Sequence, residues 1–343
     1  MDGIALTDLA ADPRLEPSRR WPVTAPHDAE IAGITAWRRD DLRPEEWRLP
    51  VPPEVLAELE AVVAALRAHP VPVLMLSAAD FALAATRRFM GRVHAQLRDG
   101  IGFAVLHRLP VERWSKEEAK SVYWLLSQMI ERPVAQAYRG TMLYDVWDTG
   151  QDTGPRTRAD VTNDDLSWHT DYGFNHPPPY LGLLVLGTAK SGGESGVASL
   201  HAGHNVLRAR RPDLLARLYR PFAWNRQGEH PEGDPVCSWN PIFSVIGGEV
   251  RARFNKFLQP VGYRLLGREI DAEGMEALQM LHDVLSEPGM QAEFVLEAGQ
   301  VQYVNNARIA HRRTGFQDWD EPERKRHLVR IFLRDEGRRS YMG

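Results

Sequence analysis

From about residue 133 onward, the sequence is a series of short segments rich in aromatic and β-branched residues. Gly, Pro, Asn and Asp separate these segments, which indicates strands joined by turns. We predict strands at residues 142–147, 180–186, 196–200, 241–246, 300–305 and 327–333. Many short strands of this kind are typical of a sandwich or barrel, and they exclude a fold made mainly of helices.

Two stretches within this β-rich part have the residue pattern of a helix. They cover about residues 203–218 and 271–285, and we expect residues 267–270 to connect a strand to the second of them. Gly192-Gly193 is only a pair, and neither of the glycine-rich nucleotide-binding fingerprints is present. The β-rich part is therefore predicted to carry helical insertions and no dinucleotide or P-loop site.

The first part of the chain has a helical pattern. Residues 53–69 carry Leu and Val at three- and four-residue intervals, which predicts a helix, and residues 81–98 predict a second one. Residues 101–106 form a short apolar run that indicates a buried strand. Ser115 is a candidate N-cap for a third helix, with Glu118 as its capping-box partner.

Helices that precede a β-rich body indicate an α+β fold rather than a doubly wound sheet. The length of 343 residues allows one large domain, and we expect a single domain over residues 1–343. Its residues 1–132 would be mainly helical, and residues 133–343 would form the β core. Residues 1–50 are predicted to be an irregular lead-in, with tryptophans as its anchors: Trp21, Trp37 and Trp47.

Charge and composition limit the partners. The net charge of −4 and the sequence pI near 6.3 argue against nucleic acid, since a nucleic-acid-binding domain is usually basic. Cys237 is the single cysteine, so an internal disulfide and a cysteine-based zinc site are excluded. We see no signal peptide and no apolar stretch that could span a membrane, so we expect a cytoplasmic protein. A homo-oligomer is left open.

His169 and Asp171 are the first candidate site residues. In an extended segment, side chains two residues apart point to the same face, so both could reach one metal ion. By itself the pair is equally compatible with a surface turn. His311, far downstream, is a third candidate, although alone it reads more readily as a structural histidine. Two His and one carboxylate that leave coordination positions open are typical of non-haem Fe(II) oxygenases.

Arg326 and Arg330 lie four residues apart in or beside the last predicted strand. An even separation places both on one face of a strand, and the strand is otherwise apolar. A buried Arg without a partner is costly, so an inward-facing Arg326 predicts a carboxylate ligand. Arg324 and Lys325 are interpreted as solvated charges. Arg330 is interpreted as intermediate between an inward-facing, ligand-binding arginine and a solvated one.

These segments together resemble the taurine dioxygenase family of Fe(II)/2-oxoglutarate-dependent oxygenases, over about residues 162–333. The resemblance is carried by Trp168-His169-Thr170-Asp171, by Gly192-Gly193-Glu194-Ser195 with Val197-Ala198-Ser199, by Asn305-Asn306 through His311-Arg312, and by Arg326-His327-Leu328-Val329-Arg330-Ile331. It implies a double-stranded β-helix (jelly roll, cupin-like) core with flanking helices. It also implies Fe(II) held by His169, Asp171 and His311, with 2-oxoglutarate and O2 as co-substrates.

The same resemblance implies the contacts of 2-oxoglutarate. Arg326 would bind its distal carboxylate, with Arg330 close by, and the hydroxyl of Ser195 would bond the same carboxylate. Members closer to taurine dioxygenase itself carry Thr at the position of Ser195, and Ser keeps the hydroxyl. The implied reaction oxidises, most often hydroxylates, a C–H bond of a small molecule and releases succinate and CO2. Desaturation, cyclisation or rearrangement are alternative outcomes, and the carboxylate of Asp171 argues against halogenation.

The substrate contacts are the least constrained by the sequence. Residues near the metal motifs are the candidates: Asn163, Tyr172, Phe174 and Asn306. The prolines at 177–179 could brace a loop or form a pocket wall. His176, His201 and His204 are interpreted as outside the metal site. Two other functions stay open: a zinc hydrolase that uses the same three ligands, and a metal-binding jelly-roll protein without turnover.

Overall fold

The structure is a computed structural model that describes residues 21–150 and 162–340. Its helices are α1 (Pro44–Trp47), α2 (Pro53–Ala68), α3 (Ala84–Arg98), α4 (Lys116–Ser127), α5 (Leu200–Arg210), α6 (Pro212–Leu218), α7 (Leu258–Leu265) and α8 (Ala272–Ser286). Short 3-10 turns lie at Ile34–Ala36, Arg39–Asp41, Val73–Met75, Ala78–Asp80, Val111–Arg113 and Pro322–Arg324. Among these residues, no helix has both the length and the apolarity needed to cross a bilayer.

The strands of the first half are β1 (Arg48–Pro50), β2 (Phe103–His107), β3 (Pro133–Val134), β4 (Leu143–Val146), β5 (Leu166–His169), β6 (Tyr180–Gly187), β7 (Ser191–Gly192) and β8 (Ser195–Ser199). Those of the second half are β9 (Phe222–Asn225), β10 (Cys237–Asn240), β11 (Phe243–Ile246), β12 (Glu249–Ala252), β13 (Gln291–Phe294), β14 (Val301–Asn305), β15 (Ile309–Arg313), β16 (Phe316–Gln317) and β17 (His327–Leu333).

Two sheets form the body of the protein. The major sheet has the order β1-β2-β14-β6-β17-β3, with β4 also paired to β17. The minor sheet has the order β13-β8-β15-β5. Neighbouring strands in both sheets are antiparallel, apart from the parallel pair β1 and β2. This is the jelly-roll architecture predicted for an α+β chain of this kind.

Alternating side chains of the major sheet serve two cores. In β2, Phe103 and Val105 belong to the core between the sheets, whereas Ala104 and Leu106 pack on the other side against helices α2–α4. In β17, Leu328 and Phe332 face the inner core. Because Arg330 lies midway between these two, the strand period directs it inward as well.

Most predicted elements are confirmed, with small shifts at their ends. The capping box of Ser115 and Glu118 opens α4, and β17 has the predicted bounds. The stretch 203–218 is two helices, α5 and α6, separated at Arg211 just before Pro212.

The segment before residues 267–270 differs from the prediction. It is helix α7 rather than a strand, so the expected strand-to-helix connection is wrong. Pro260 is tolerated in α7 because it lies in the first turn, where a backbone N–H has no partner within the helix. The hairpins β9/β10 and β11/β12 are further elements of this region.

The lead-in packs on the body, although it is not wholly irregular, because β1 pairs with β2. Trp37 and Trp47 are buried, and the indole N–H of Trp37 donates to the carbonyl of Ile101 at 2.8 Å. The ring of Trp21 lies 4.1 Å from the guanidinium of Arg253. Residues 1–20, which include the chain start considered for a signal peptide, lie outside the described residues.

Candidate active site

The two candidate histidines lie side by side on neighbouring strands of the minor sheet. His169 is the last residue of β5, and it is in register with His311 of β15. The centroids of their rings are 4.2 Å apart. Strand pairing therefore brings together two residues that are far apart in sequence, as predicted.

Asp171 completes a cluster with the two imidazoles. Its Oδ1 lies 3.3 Å from Nε2 of His169 and 3.5 Å from Nε2 of His311. One ligand atom from each residue can be chosen so that all three lie within 4.8 Å of one another. Asn306 fixes the backbone here: its side chain accepts from the N–H of Asp171 and donates to the carbonyl of Asp171, both at 2.8 Å.

The protonation states suit metal binding. Nδ1 of His169 lies 2.8 Å from the carbonyl of Ser167, which favours the tautomer with a free lone pair on Nε2. Burial and the neighbouring His169 lower the pKa of His311, which keeps that imidazole neutral. Burial opposes ionisation of Asp171, but the Arg330 guanidinium and the two adjacent imidazoles hold the pKa of this carboxyl well below its usual range.

Arg330 contacts the outer oxygen of the same carboxylate. Its Nη1 lies 3.1 Å from Oδ2 of Asp171, and its Nε donates to Oε1 of Gln136 at 2.9 Å. Gln136 in turn donates to the carbonyls of Met142 and Arg330. This chain of contacts directs Oδ2 toward the arginine and leaves Oδ1 toward the histidines.

One cavity contains every residue predicted for iron and 2-oxoglutarate. Its lining includes His169, Asp171, His311, Ser195, Arg326 and Arg330. Arg326 lies just before β17 and is 7% exposed, and its Nη1 has no hydrogen-bond partner in the part of the chain that the structure describes. Burial and the neighbouring Arg313 lower the pKa of Arg326 to about 9. A buried cation with an unused donor beside a second cation fits an anionic ligand.

Arg313 and Gln302 also line this cavity, and sequence reasoning did not find them. Arg313 is buried, and its guanidinium lies 4.7 Å from the ring of Phe316. The available signal was its spacing, because residues 311 and 313 of one strand share a face. Gln302 had no comparable signal, since it lies in an apolar strand that pairs with β2 and β6.

A second cavity also borders Asp171. It is lined by His169, Asp171 and Arg330, and also by Tyr172, Phe174, Gln227, Asn255, Leu258 and Phe332. Tyr172 and Phe174, two of the predicted substrate contacts, therefore lie beside the metal-type cluster. Gln227, Asn255 and Leu258 come from the region of β9, β12 and α7, for which the sequence pattern gave no functional signal.

The other two predicted substrate contacts lie outside the lining of both cavities. Asn163 is exposed, and its backbone carbonyl accepts from the N–H of Phe316. Asn306 is buried, and its side-chain amide also donates to the carbonyl of Pro178, so its contacts are to the backbone. Both residues are close to the metal motifs in sequence, but neither side chain lines the two cavities.

The remaining histidines are separate from the cluster. His201 bonds Thr35 and the carbonyl of Val250, and His204 bonds the hydroxyl of Tyr219. Burial lowers the pKa of these two imidazoles to about 4 and about 3. Burial raises the pKa of the Cys237 thiol to about 11, which is unfavourable for a nucleophile.

The side chains present fit an Fe(II) ion with a chelating 2-oxo acid. Two imidazoles and one carboxylate form a three-ligand set, which leaves positions open for further ligands. The unused donor of Arg326 lies in the same cavity, where a second, distant carboxylate could bind. The deciding observation is a comparison with known families: residues 72–332 match the family described as "Taurine catabolism dioxygenase TauD, TfdA family".

The chain belongs to this TauD/TfdA family. The match begins about 90 residues earlier than the resemblance found by motifs, so helices α3 and α4 are part of the family fold. The chain is therefore an Fe(II)- and 2-oxoglutarate-dependent oxygenase that uses O2 and acts on a small molecule.

Two curated relatives cover different shares of this chain. "FR-33289 synthase" of Streptomyces rubellomurinus is 26% identical over 91% of this chain and 92% of its own length. "Uridine-5'-phosphate dioxygenase" of an Amycolatopsis species is 27% identical over 46% of this chain and 56% of its own length.

Solved structures confirm the fold. An asparagine oxygenase in complex with Fe(II), 2S,3S-3-hydroxyasparagine and succinate superimposes with a TM-score of 0.65. It is 17% identical, and the match covers 84% of this chain and 94% of that one. The non-haem iron oxygenase OrfP with Fe and alpha-ketoglutaric acid gives 0.61 at 16% identity, with the same coverage.

Proposed function

We propose that the TauD/TfdA oxygenase described above binds Fe(II) through His169, Asp171 and His311 and hydroxylates a C–H bond of an amino-acid-like or natural-product substrate. The observation that carries the proposal is the shared cavity, which joins these three side chains to Arg326. The balanced reaction converts substrate, 2-oxoglutarate and O2 into the alcohol, succinate and CO2. The bound metal and 2-oxoglutarate supply the oxidising chemistry, and the protein supplies binding and orientation.

Arg326 is proposed to bind the distal carboxylate of 2-oxoglutarate. A guanidinium binds a carboxylate through two parallel hydrogen bonds, and Nη1 of Arg326 is available for one of them. Ser195, which is buried at the start of β8, is proposed to donate its hydroxyl to the same carboxylate. Arg313 adds a second positive charge at this end of the cavity.

Arg330 is proposed to act mainly on Asp171. The guanidinium holds Oδ2, so Oδ1 faces the side of the two histidines, and an oriented ligand needs less reorganisation when the metal binds. Because Arg330 also lines the cavity, a contact with 2-oxoglutarate is compatible with this role. Asn306 is proposed to fix the backbone of Asp171 rather than to contact substrate.

Tyr172 and Phe174 are proposed to contact the substrate from the second cavity. The hydroxyasparagine bound to the asparagine oxygenase and the (3S)-hydroxy-L-Arg bound in another OrfP structure support an amino-acid-like substrate. The relatives named FR-33289 synthase and uridine-5'-phosphate dioxygenase support including other small molecules in the test. We further propose that residues 1–343 act as one domain in the cytoplasm, without nucleic acid or membrane as a partner. The acidic net charge and the single cysteine support that setting.

Two measurements test the proposal. Anaerobic addition of Fe(II) and then 2-oxoglutarate should produce a weak visible charge-transfer band, which a zinc hydrolase would lack. In air, succinate release should rise when one member of a panel is added: L-asparagine, L-arginine, uridine 5′-phosphate or taurine. A visible band without a rise in succinate release for any panel compound would mean that only the proposed substrate class is wrong. Absence of both band and succinate would contradict the whole proposal.

A further inference from the structure

The four residues that follow Asp171 form a turn, here named the wall loop (residues 172–175). Its members Tyr172 and Phe174 line the second cavity, and their ring centroids are 4.9 Å apart. Tyr172 has a φ of 60°, the left-handed region that a residue with a Cβ adopts only when its surroundings impose it. Something in the surrounding structure must therefore hold the wall loop.

Arg253 is the first residue that holds it. Its side chain is fully buried, and its Nη1 donates to the carbonyl of Gly173 at 2.7 Å and to that of Asn175 at 3.2 Å. Within residues 21–150 and 162–340, no ion pair involves Arg253, and its Nε and Nη2 have no hydrogen-bond partner. The ring of Trp21 covers the guanidinium at 4.1 Å.

Arg226 is the second. It is 2% exposed, and its Nε donates to the side-chain oxygen of Asn175 at 2.7 Å. The amide nitrogen of Asn175 donates to the carbonyl of Glu229 at 2.8 Å. Arg226 also lies 3.5 Å from Asp234 and donates to the carbonyl of Pro235. The wall loop is thus joined at one end to the segment that follows β9.

The backbone carbonyls of the wall loop all accept hydrogen bonds. The carbonyl of Tyr172 accepts from the N–H of Asn175, and that of Phe174 accepts from the hydroxyl of Ser238. Together with the two carbonyls held by Arg253, every carbonyl of the loop has a donor. Gly173 lies so close to Trp224 that an added Cβ would come within 3.0 Å of its ring. The loop is therefore a fixed wall and has little freedom to adapt.

A contrast with Arg217 shows why Arg253 needs an explanation. Arg217 is 4% exposed, but Asp271 binds its Nε and Nη2, so its charge is balanced within the fold. Among the residues that the structure describes, no carboxylate pairs with Arg253 in this way, and burying an unpaired charge is unfavourable. What Arg253 does provide is a pair of strong hydrogen bonds to the loop that leads directly from Asp171.

We propose that Arg253 and Arg226 are positioning residues, which fix the wall loop and through it the rings that the substrate meets. Only the claim that the rings of the wall loop contact substrate rests on the proposed function. The rigid loop is a property of the protein without ligands. The two parts can therefore fail separately.

The first test is hydrogen–deuterium exchange of the metal-free full chain, followed on a peptide that covers residues 170–177. Arg253→Met keeps much of the bulk and removes both donors, so exchange in this peptide should become about tenfold faster or more, as expected for loss of charge-assisted hydrogen bonds. Arg253→Lys should recover part of the protection, since an ammonium can donate to both carbonyls. A merely space-filling role would give no such recovery.

Arg217→Met is the matched control, because it also removes a buried guanidinium but lies on α6, away from the loop. We expect the Arg217 variant to leave exchange of the 170–177 peptide within about twofold of wild type. Equal acceleration in the Arg217 and Arg253 variants would overturn the proposal. If Arg253→Met does not fold, Asn175→Ala decides: it removes the acceptor of Arg226, and unchanged exchange in that variant would also overturn the proposal.

The second test separates the wall loop from the 2-oxoglutarate end. In anaerobic titrations with Fe(II) and 2-oxoglutarate, Arg253→Met should keep the half-saturating 2-oxoglutarate concentration within about twofold of wild type. A rise of tenfold or more would place Arg253 in the co-substrate site instead and contradict its assignment. If the wild-type protein gives no visible band, the proposed function fails. The exchange result still decides whether Arg253 and Arg226 hold the wall loop.

Discussion

The two sides of Asp171 are built differently. The proposed 2-oxoglutarate side is the first cavity, formed by residues in or directly beside strands, with Ser195 at the start of β8 and Arg326 directly before β17. The proposed substrate side is the second cavity, formed by the wall loop together with Gln227, Asn255 and Leu258. Both sides share the metal-type cluster. One takes its geometry from paired strands, and the other takes it from Arg253, which binds two loop carbonyls, and Arg226, which binds the side chain of Asn175.

This difference matters for how such a fold changes its substrate. Strand register fixes the positions for the co-substrate, because a shift by one residue would turn every side chain to the opposite face. A loop can be remodelled without disturbing the sheets, provided that its backbone groups keep their partners. We therefore predict that a substitution on one side leaves ligand binding on the other side unchanged.

The largest effect is expected at the residue that both sides share. Asp171→Ala removes a metal ligand and leaves Arg330 buried without its carboxylate. We expect Fe(II) binding to weaken by more than about 100-fold, beyond the range for outer partners of a metal site. The unfolding free energy should fall by about 3 kcal/mol, as for a broken buried ion pair. Chemical denaturation and iron titration measure the two effects, with Asp283→Ala on the surface of α8 as control.

Arg326→Met should damage only the co-substrate side. The half-saturating 2-oxoglutarate concentration should rise by about 30- to 100-fold, since a charge-assisted pair is worth about 2–3 kcal/mol. Fe(II) affinity should stay within about twofold of wild type. Arg324→Met, with a side chain that is 49% exposed, is the matched control and should change neither value. Loss of iron in the Arg326 variant would mean that the assigned role is wrong.

Arg330→Met tests which side this residue serves. If it orients Asp171, Fe(II) affinity should fall by about 10- to 100-fold, and Arg330→Lys should recover part of it. The iron affinity is measured by anaerobic titration, and the 2-oxoglutarate requirement is measured at saturating Fe(II). A change in the 2-oxoglutarate requirement alone would instead assign Arg330 to the co-substrate, as the family resemblance first implied.

The smallest effect on the binding of iron and 2-oxoglutarate is expected on the substrate side. Tyr172→Ala should leave both affinities within about twofold of wild type. It should nevertheless reduce succinate release stimulated by an active panel compound by about tenfold, through the lost ring contact. Asn163→Ala, an exposed residue outside both cavities, is the control and should leave stimulation unchanged. A loss of stimulation in the Asn163 variant would restore it as a substrate contact.

The contrast between the two sides also marks what the sequence could predict. The period of two predicted that Arg326 and Arg330 share one face, although it left Arg330 between an inward and a solvated role. The capping box of Ser115 was sufficient to begin α4. The proximity of His169 and His311 was predicted from metal-ligand chemistry, because two distant histidines can bind one ion only if the fold brings them together.

Local patterns were insufficient on the substrate side. Helix α7 was missed because Pro260 and Gly262 resemble helix breakers, although both are accommodated in its short span. Asn163 and Asn306 were chosen for their closeness to the metal motifs in sequence, which does not determine where a loop side chain points. The two arginines that hold the wall loop carry no sequence signal, since Arg253 donates to backbone carbonyls and Arg226 donates to the side chain of Asn175, both far away in sequence.

The most direct test of the central claim is a crystal structure obtained under anaerobic conditions with Fe(II) and 2-oxoglutarate. We predict one iron bound by His169, Asp171 and His311, with the distal carboxylate of 2-oxoglutarate on Arg326 and the wall loop unchanged. An iron bound by other residues, or a distal carboxylate directed toward Tyr172 and Phe174, would contradict it.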